Sequence, residues 1–271
     1  VSSVGDAVVK GRKVTAETST PPPGERPRAR RIITRVLLGF LALLGLLVLG
    51  FIIWANVGVM QAERGALEAV RSDPAITIME NPEALVMSPS DLTSTRGLVF
   101  IPGAKVTAES YVSNLSGLVE EDGITVVITR PTLNLAFFDL RPLTTFTALA
   151  PDVDEWFVGG HSLGGVKACQ FAEEPEVAGL ILFGSYCAND LSGTSIPVLS
   201  LGGSEDGLST PSKIEEAAVR LPSDAEFIQI DGANHARFGD YGVQSGDGTA
   251  TIGSDEMRNI LTRDITAFLG S

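Results

Sequence analysis

The sequence predicts an α/β domain built on a mostly parallel sheet of about eight strands with helices on both faces, preceded by one transmembrane helix. Three observations carry that expectation. From about Ala75 onward, short apolar runs alternate with amphipathic stretches, the pattern of strands connected by helices. Upstream, the 27 residues between Arg35 and Glu63 hold no formal charge, from Val36-Leu37-Leu38-Gly39-Phe40 through Ile53-Trp54. Charge is also divided along the chain: residues 1–35 carry eight basic and three acidic side chains, net +5, whereas the remaining 236 carry 12 basic and 30 acidic, net −18.

Residues 1–35 read as a disordered, basic cytoplasmic tail, because Pro21-Pro22-Pro23-Gly24 and Pro27 stand among small polar residues that cannot bury a core. Residues 36–58 read as the transmembrane helix. About 20 residues rising ~1.5 Å each cross a ~30 Å hydrocarbon core, and Trp54 falls where an interfacial aromatic belongs. The apolar stretch exceeds the ~7–15 residues of a signal-peptide core, which favours an uncleaved anchor in the cell membrane. Basic residues before the span then put the amino terminus in the cytoplasm and the large domain outside. Residues 59–74 read as a juxtamembrane stalk, helical in composition from Gln61 to Arg71 and ended by Asp73-Pro74.

The domain proper is expected over residues 75–271. Its strands are predicted at 75–79, 84–87, 97–101, 125–129, 156–158, 178–183, 197–201 and 226–230, and its helices at 108–120, 163–172, 211–220 and 255–269. A net charge of −18 excludes a general nucleic-acid binder, which needs a basic footprint for a polyanion. Two cysteines, Cys169 and Cys187, cannot build a disulfide framework; one on a helix and one past a strand end are expected as two buried free thiols. With two histidines in the chain as well, no metal site of recognisable ligand spacing is expected, and no cofactor.

The chemistry centres on Gly160, Ser162 and Gly164 in a G-x-S-x-G pentad. An apolar run, Trp156-Phe157-Val158, precedes it and a helix-forming run, Val166 to Ala172, follows. Small residues two before and two after the serine let a strand turn sharply into a helix and leave the hydroxyl exposed. Such a hydroxyl is a poor nucleophile and needs a base held in its productive tautomer. Only His161 and His235 are available. His161 adjoins the serine and points away from the hydroxyl, which leaves His235, just past the last strand. Chain order calls for an acid between the serine and the histidine. Asp206, followed by the turn-permitting Gly207, is preferred over Glu205 and Asp190. The tetrahedral oxyanion needs two N–H donors. The Leu163 amide is one; Ala104, in the loop Pro102-Gly103-Ala104-Lys105, is taken as the other.

These segments resemble the α/β-hydrolase superfamily, specifically its small membrane-tethered bacterial members with a compact, lidless domain. The resemblance covers about residues 75–271. It rests on Ile101 to Val106, Pro131 to Ala136, Gly160 to Gly165, Gly203-Ser204-Glu205-Asp206 and the run from Gly232 to Gly242. It implies the α/β-hydrolase fold and a serine esterase-like site of Ser162, Asp206 and His235. The expected function is a membrane-anchored serine hydrolase acting on a small acyl ester. Its rivals are an acyltransferase to an envelope acceptor with the same triad and a non-catalytic anchored binding module. Only 13 residues, 184–196, separate the sixth and seventh strands, too few for a two-helix cap. The remaining apolar cover is Leu133 to Phe138, so short acyl esters are the expected substrates.

Overall fold

The computed structural model describes Gly11 and residues 27–91 and 94–270. Most of the expected tail therefore lies outside the described residues. Helix α1 (Pro27–Asn56) starts at Pro27, not at Val36. Proline suits a first helical position because the amide it lacks would be unpaired there, and the arginines that follow are good helix formers. Within α1, Arg30–Asn56 has a mean hydropathy of 3.0 over its most apolar window, long and apolar enough to cross a membrane as an anchor or a signal sequence would.

Residues 50–271 form one compact unit. Residues 59–74, expected as a stalk, are packed into it: Met60 pairs in parallel with Val106, and α2 (Arg64–Arg71) turns Leu67 and Val70 onto the core. The apolar side of this short helix needs burial, and the domain supplies it.

Eight strands follow in one sheet: β1 (Ile76–Glu80), β2 (Ala84–Pro89), β3 (Arg96–Ile101), β4 (Thr125–Thr129), β5 (Glu155–His161), β6 (Val177–Phe183), β7 (Val198–Gly203) and β8 (Glu226–Ile230). Their order is β1-β2-β4-β3-β5-β6-β7-β8. The pairs β1–β2 and β2–β4 are antiparallel and the other five are parallel. Period-two alternation sorts the strand residues between two cores. Leu98, Phe100, Val126, Ile128, Ile181 and Phe183 face one layer, with α3 (Val112–Glu120) and α7 (Ser254–Leu269). Val99, Ile101, Val127, Leu180 and Leu182 face the other, with α4 (Thr144–Thr147) and α5 (Leu163–Phe171). Helix α6 (Pro211–Ala217) follows β7.

The chain leaves β3 toward β4 on one side and returns to β5 on the other. The carboxyl ends of β3 and β5 are thus a topological switch point, where open sheets of this kind leave a crevice for ligands.

Residues 184–196, between β6 and β7, contain neither helix nor strand, so no helical cap arises there. The expectation of free thiols is corrected in this loop, because Cys169 and Cys187 are disulfide-bonded with Cα atoms 5.6 Å apart. Instead of staying above the sheet edge, the loop descends alongside α5. Asn189 Nδ2 donates to Cys169 O at 2.9 Å and to Glu173 Oε1 at 2.7 Å, which holds the segment against the helix and its end.

Candidate active site

Strand β5 runs through Gly159-Gly160 to His161, and Ser162 follows with φ 52° and ψ −122° before α5 begins at Leu163. A left-handed φ at a serine is costly and persists only where the surroundings impose it. Here the imposition is steric. A Cβ on Gly160 would lie 2.4 Å from the Gly164 carbonyl carbon, and one on Gly164 would lie 2.0 Å from Ile101 O. Strand, turn and helix are too close for any side chain at either glycine, and Ser162 is left half-buried at the top of the turn.

The expected acid and base come from neighbouring strand ends. Asp206 follows β7 and His235 follows β8; both are buried. His235 Nδ1 lies 2.8 Å from Asp206 Oδ2. The other oxygen, Oδ1, accepts the Leu208 and Ser209 amides at 2.8 and 2.7 Å, so the carboxylate is fixed as well as paired. Glu205 instead accepts the neighbouring Ser204 hydroxyl, and Asp190 caps its own turn through the Ser192 amide.

Among the described residues no hydrogen bond joins the Ser162 hydroxyl to His235. The two are brought together through their neighbours. The Ser162 amide donates to Phe183 O at 3.0 Å, and a Cβ on the next residue, Gly184, would stand 2.9 Å from Asp206 Oδ2 and 3.2 Å from His235 Nδ1. The rings of His161 and His235 lie 4.3 Å apart.

The amides near the serine can be separated by what each already binds. Pro102 has no N–H. Gly103 N–H donates to the Tyr111 hydroxyl at 2.9 Å, and Lys105 N–H donates to Asn134 O at 2.8 Å. The Ala104 and Leu163 amides make no hydrogen bond among the described residues. These two are therefore available to an incoming oxyanion. Gly103 is glycine for a reason other than substrate approach: a Cβ there would lie 2.9 Å from His161 Nδ1 and 3.2 Å from the Tyr111 hydroxyl.

His161 is buried among Tyr111, His235, Phe238 and Tyr241. Its Nδ1 lies 2.8 Å from the Tyr111 hydroxyl. Burial first, and the adjacent His235 second, hold the imidazole well below its ordinary pKa, so it stays neutral. Burial likewise pushes the Tyr111 phenol up, so the hydroxyl keeps its proton.

One group that sequence reasoning missed ties the site together. Asp247 Oδ1 accepts the amides of Gly207 at 3.1 Å, His235 at 3.1 Å and Gly248 at 2.8 Å, while Oδ2 accepts the Ala236 amide at 2.8 Å. The loop carrying the acid and the loop carrying the histidine share this carboxylate. Its only sequence signal is a polar Gly-Asp-Gly turn.

A mostly parallel eight-stranded sheet with a serine mounted on a strand-to-helix elbow defines an α/β protein of the hydrolase type. The sequence model of the alpha/beta hydrolase family matches residues 97–259, and the chain belongs to that family. No curated protein matches the sequence. Among solved structures, it is similar to a predicted CIB-like hydrolase from Thermoplasma acidophilum, with TM-score 0.53 and 14% identity over 71% of this chain and 99% of that one. It is also similar to an alpha-beta serine hydrolase homologue from Coxiella burnetii, with TM-score 0.51 and 17% identity over 71% and 97% of the two chains. A third is Est1E from Butyrivibrio proteoclasticus, with TM-score 0.50 and 10% identity over 73% and 100%. At such identities the likeness shows the fold, and that fold supports hydrolase activity.

Proposed function

We propose that the chain is a membrane-anchored serine hydrolase that cleaves an ester or related acyl bond. Ser162 attacks the acyl carbon as its proton passes to His235 Nε2, and the leaving alcohol takes that proton as the acyl–oxygen bond breaks. Water, deprotonated by the same imidazole, then releases the acid and regenerates the serine. Asp206 fixes the tautomer by accepting from Nδ1, and the Leu163 and Ala104 amides hold the oxyanion.

The buried Asp206–His235 pair beside an elbow-mounted serine is the observation that carries this reading. A binding module has no need to bury that pair next to two unpaired amides. The absent serine–histidine hydrogen bond does not oppose it, since such contacts often tighten only once substrate is bound.

We propose that the hydrolase domain lies outside the cytoplasm. Support comes from the basic residues before the apolar helix and from the Cys169–Cys187 disulfide, which persists in oxidising compartments.

The decisive experiment is labelling of the full chain with a fluorophosphonate probe. Wild type should label at Ser162, and the Ser162→Ala and His235→Ala variants should not. A folded wild-type chain that stays unlabelled would leave the binding module as the better reading.

A further inference from the structure

The last two turns of α1 belong to the hydrolase unit, and they meet it at the mouth of the site. Lys105 Nζ sits 4.7 Å over the Trp54 ring. Asn134 Nδ2 donates to Ala55 O at 3.4 Å, and the Phe51 and Phe138 rings lie 5.4 Å apart. Four residues past the helix, the Met60 amide donates to Lys105 O at 2.8 Å, and Met60 O accepts the Thr107 amide at 3.0 Å. Helix end, aromatic loop and the loop bearing the Ala104 amide therefore form one continuous contact.

That contact sets the depth of the site. Trp54 falls at the level of an interfacial aromatic, in a headgroup layer about 5–8 Å thick. Four residues reach at most about 14 Å, so no spacer lifts the loop bearing Ala104 away from the bilayer. Phe137, whose ring lies 5.9 Å from that of Phe138, is 69% exposed, and Leu140, two residues past Phe138 in the same loop, is 89% exposed. Their loop is fixed in place: Leu133 and Asn134 both hold left-handed backbone, and the Asn134 carbonyl accepts the Lys105 amide.

We infer that Phe137 and Leu140 seat in the bilayer beside the emerging helix, and that Ser162 acts on an acyl ester carried in that leaflet. This rests on the reading of α1 as an anchor and of Ser162 as the nucleophile. A site without a helical cap between β6 and β7 suits such a substrate. The protein has no need to bury a long acyl tail when the bilayer already solvates it, and only the ester has to rise to the serine. The bond changes are those of the hydrolysis described above: the ester and water yield an acid and an alcohol.

The test uses the full chain reconstituted in phosphatidylcholine vesicles, with two probes. One is p-nitrophenyl acetate in the water and the other is 4-methylumbelliferyl oleate dissolved in the bilayer. Leu140→Asp should leave acetate turnover unchanged and lower oleate turnover by about fivefold or more, because an apolar contact is replaced by a charge. In parallel, Leu140→Trp should add fluorescence that brominated phosphatidylcholine quenches, beyond the wild-type background from Trp54 and Trp156. Equal effects of Leu140→Asp on both esters, or no added quenching, would overturn the proposal. So would burial of Leu140 between two copies of the chain, seen as a dimer that Leu140→Asp abolishes. If wild type cleaves neither ester, the hydrolase reading fails and the substrate assignment falls with it, while the quenching still decides the membrane contact.

Discussion

The Tyr111 hydroxyl stands 2.8 Å from His161 Nδ1 while accepting the Gly103 amide at 2.9 Å. A single phenol thus fixes the residue before the proposed nucleophile and the residue before the proposed oxyanion donor. Tyr111→Phe leaves the Gly103 amide without an acceptor in a buried place, at a cost of about 1–3 kcal/mol in stability. The Ala104 amide then loses its fixed direction. In steady-state kinetics kcat should fall about tenfold with KM nearly unchanged, since the donor acts in the transition state. A rise in KM alone would place Tyr111 in substrate binding instead.

Asp247 accepts three amides from the loops that bear Asp206 and His235, those of Gly207, His235 and Ala236, and a fourth from its own neighbour Gly248. Asp247→Ala should release both loops and lower kcat by about 100-fold, the size expected when a catalytic group shifts by an ångström. Asp247→Asn keeps one carbonyl oxygen for the Oδ1 partners and should recover most of that loss. Failure of asparagine to rescue would point to a need for the charge itself.

The neutral, buried His161 makes stability depend on pH in a defined direction. Its folded pKa is depressed below the ordinary value of 6.5, so the unfolded chain takes up a proton that the folded chain refuses. Stability should therefore decline as pH falls below about 6.5, by at most ~1.4 kcal/mol per pH unit from this group. Chemical denaturation of wild type and His161→Gln between pH 7 and 5 measures the effect as a difference in slope. Parallel curves would show that His161 titrates normally.

The Cys169–Cys187 bond closes a short loop, with a sequence separation of 18. A loop of that length contributes about 3 kcal/mol by restricting the unfolded chain. Reduction, or Cys187→Ala, should lower the melting temperature by roughly 6–12 °C for a domain of this size. An unchanged melting curve under a strong reductant would mean that the loop is held without the bond, by Asn189 and by Arg220, whose guanidinium donates to Cys187 O at 3.1 Å.

The eight strands are legible in the sequence because each is a short apolar run, and the sheet places them within a few residues of expectation. The elbow is legible because its requirement is local: glycines two positions either side of a serine. Asp206 and His235 follow from scarcity and chain order, and they lie 2.8 Å apart. Tyr111 and Asp247 are not legible, since each matters through groups that other segments supply: His161 Nδ1 and the Gly103 amide for Tyr111, and chiefly the Gly207, His235 and Ala236 amides for Asp247. The disulfide escapes for a related reason. Composition locates Cys187 after a strand, but the path of its loop down α5 is set by Asn189 reaching Cys169 O and Glu173. Residues 59–74 read as a stalk because eight helical residues carry no mark of what their apolar side will meet.

Strand β8, which leads into His235, is the last strand of the sheet and, among the described residues, pairs on one side only, with β7. Its outer residues are exposed, Phe227 among them. Edge pairing is the first part of a sheet to open, well before the central strands exchange their amides. The imidazole would then leave its carboxylate while most of the fold stays intact. On slow heating, turnover should be lost several degrees below the calorimetric transition and should return on cooling, so the working temperature range of the protein is narrower than the range over which it remains folded.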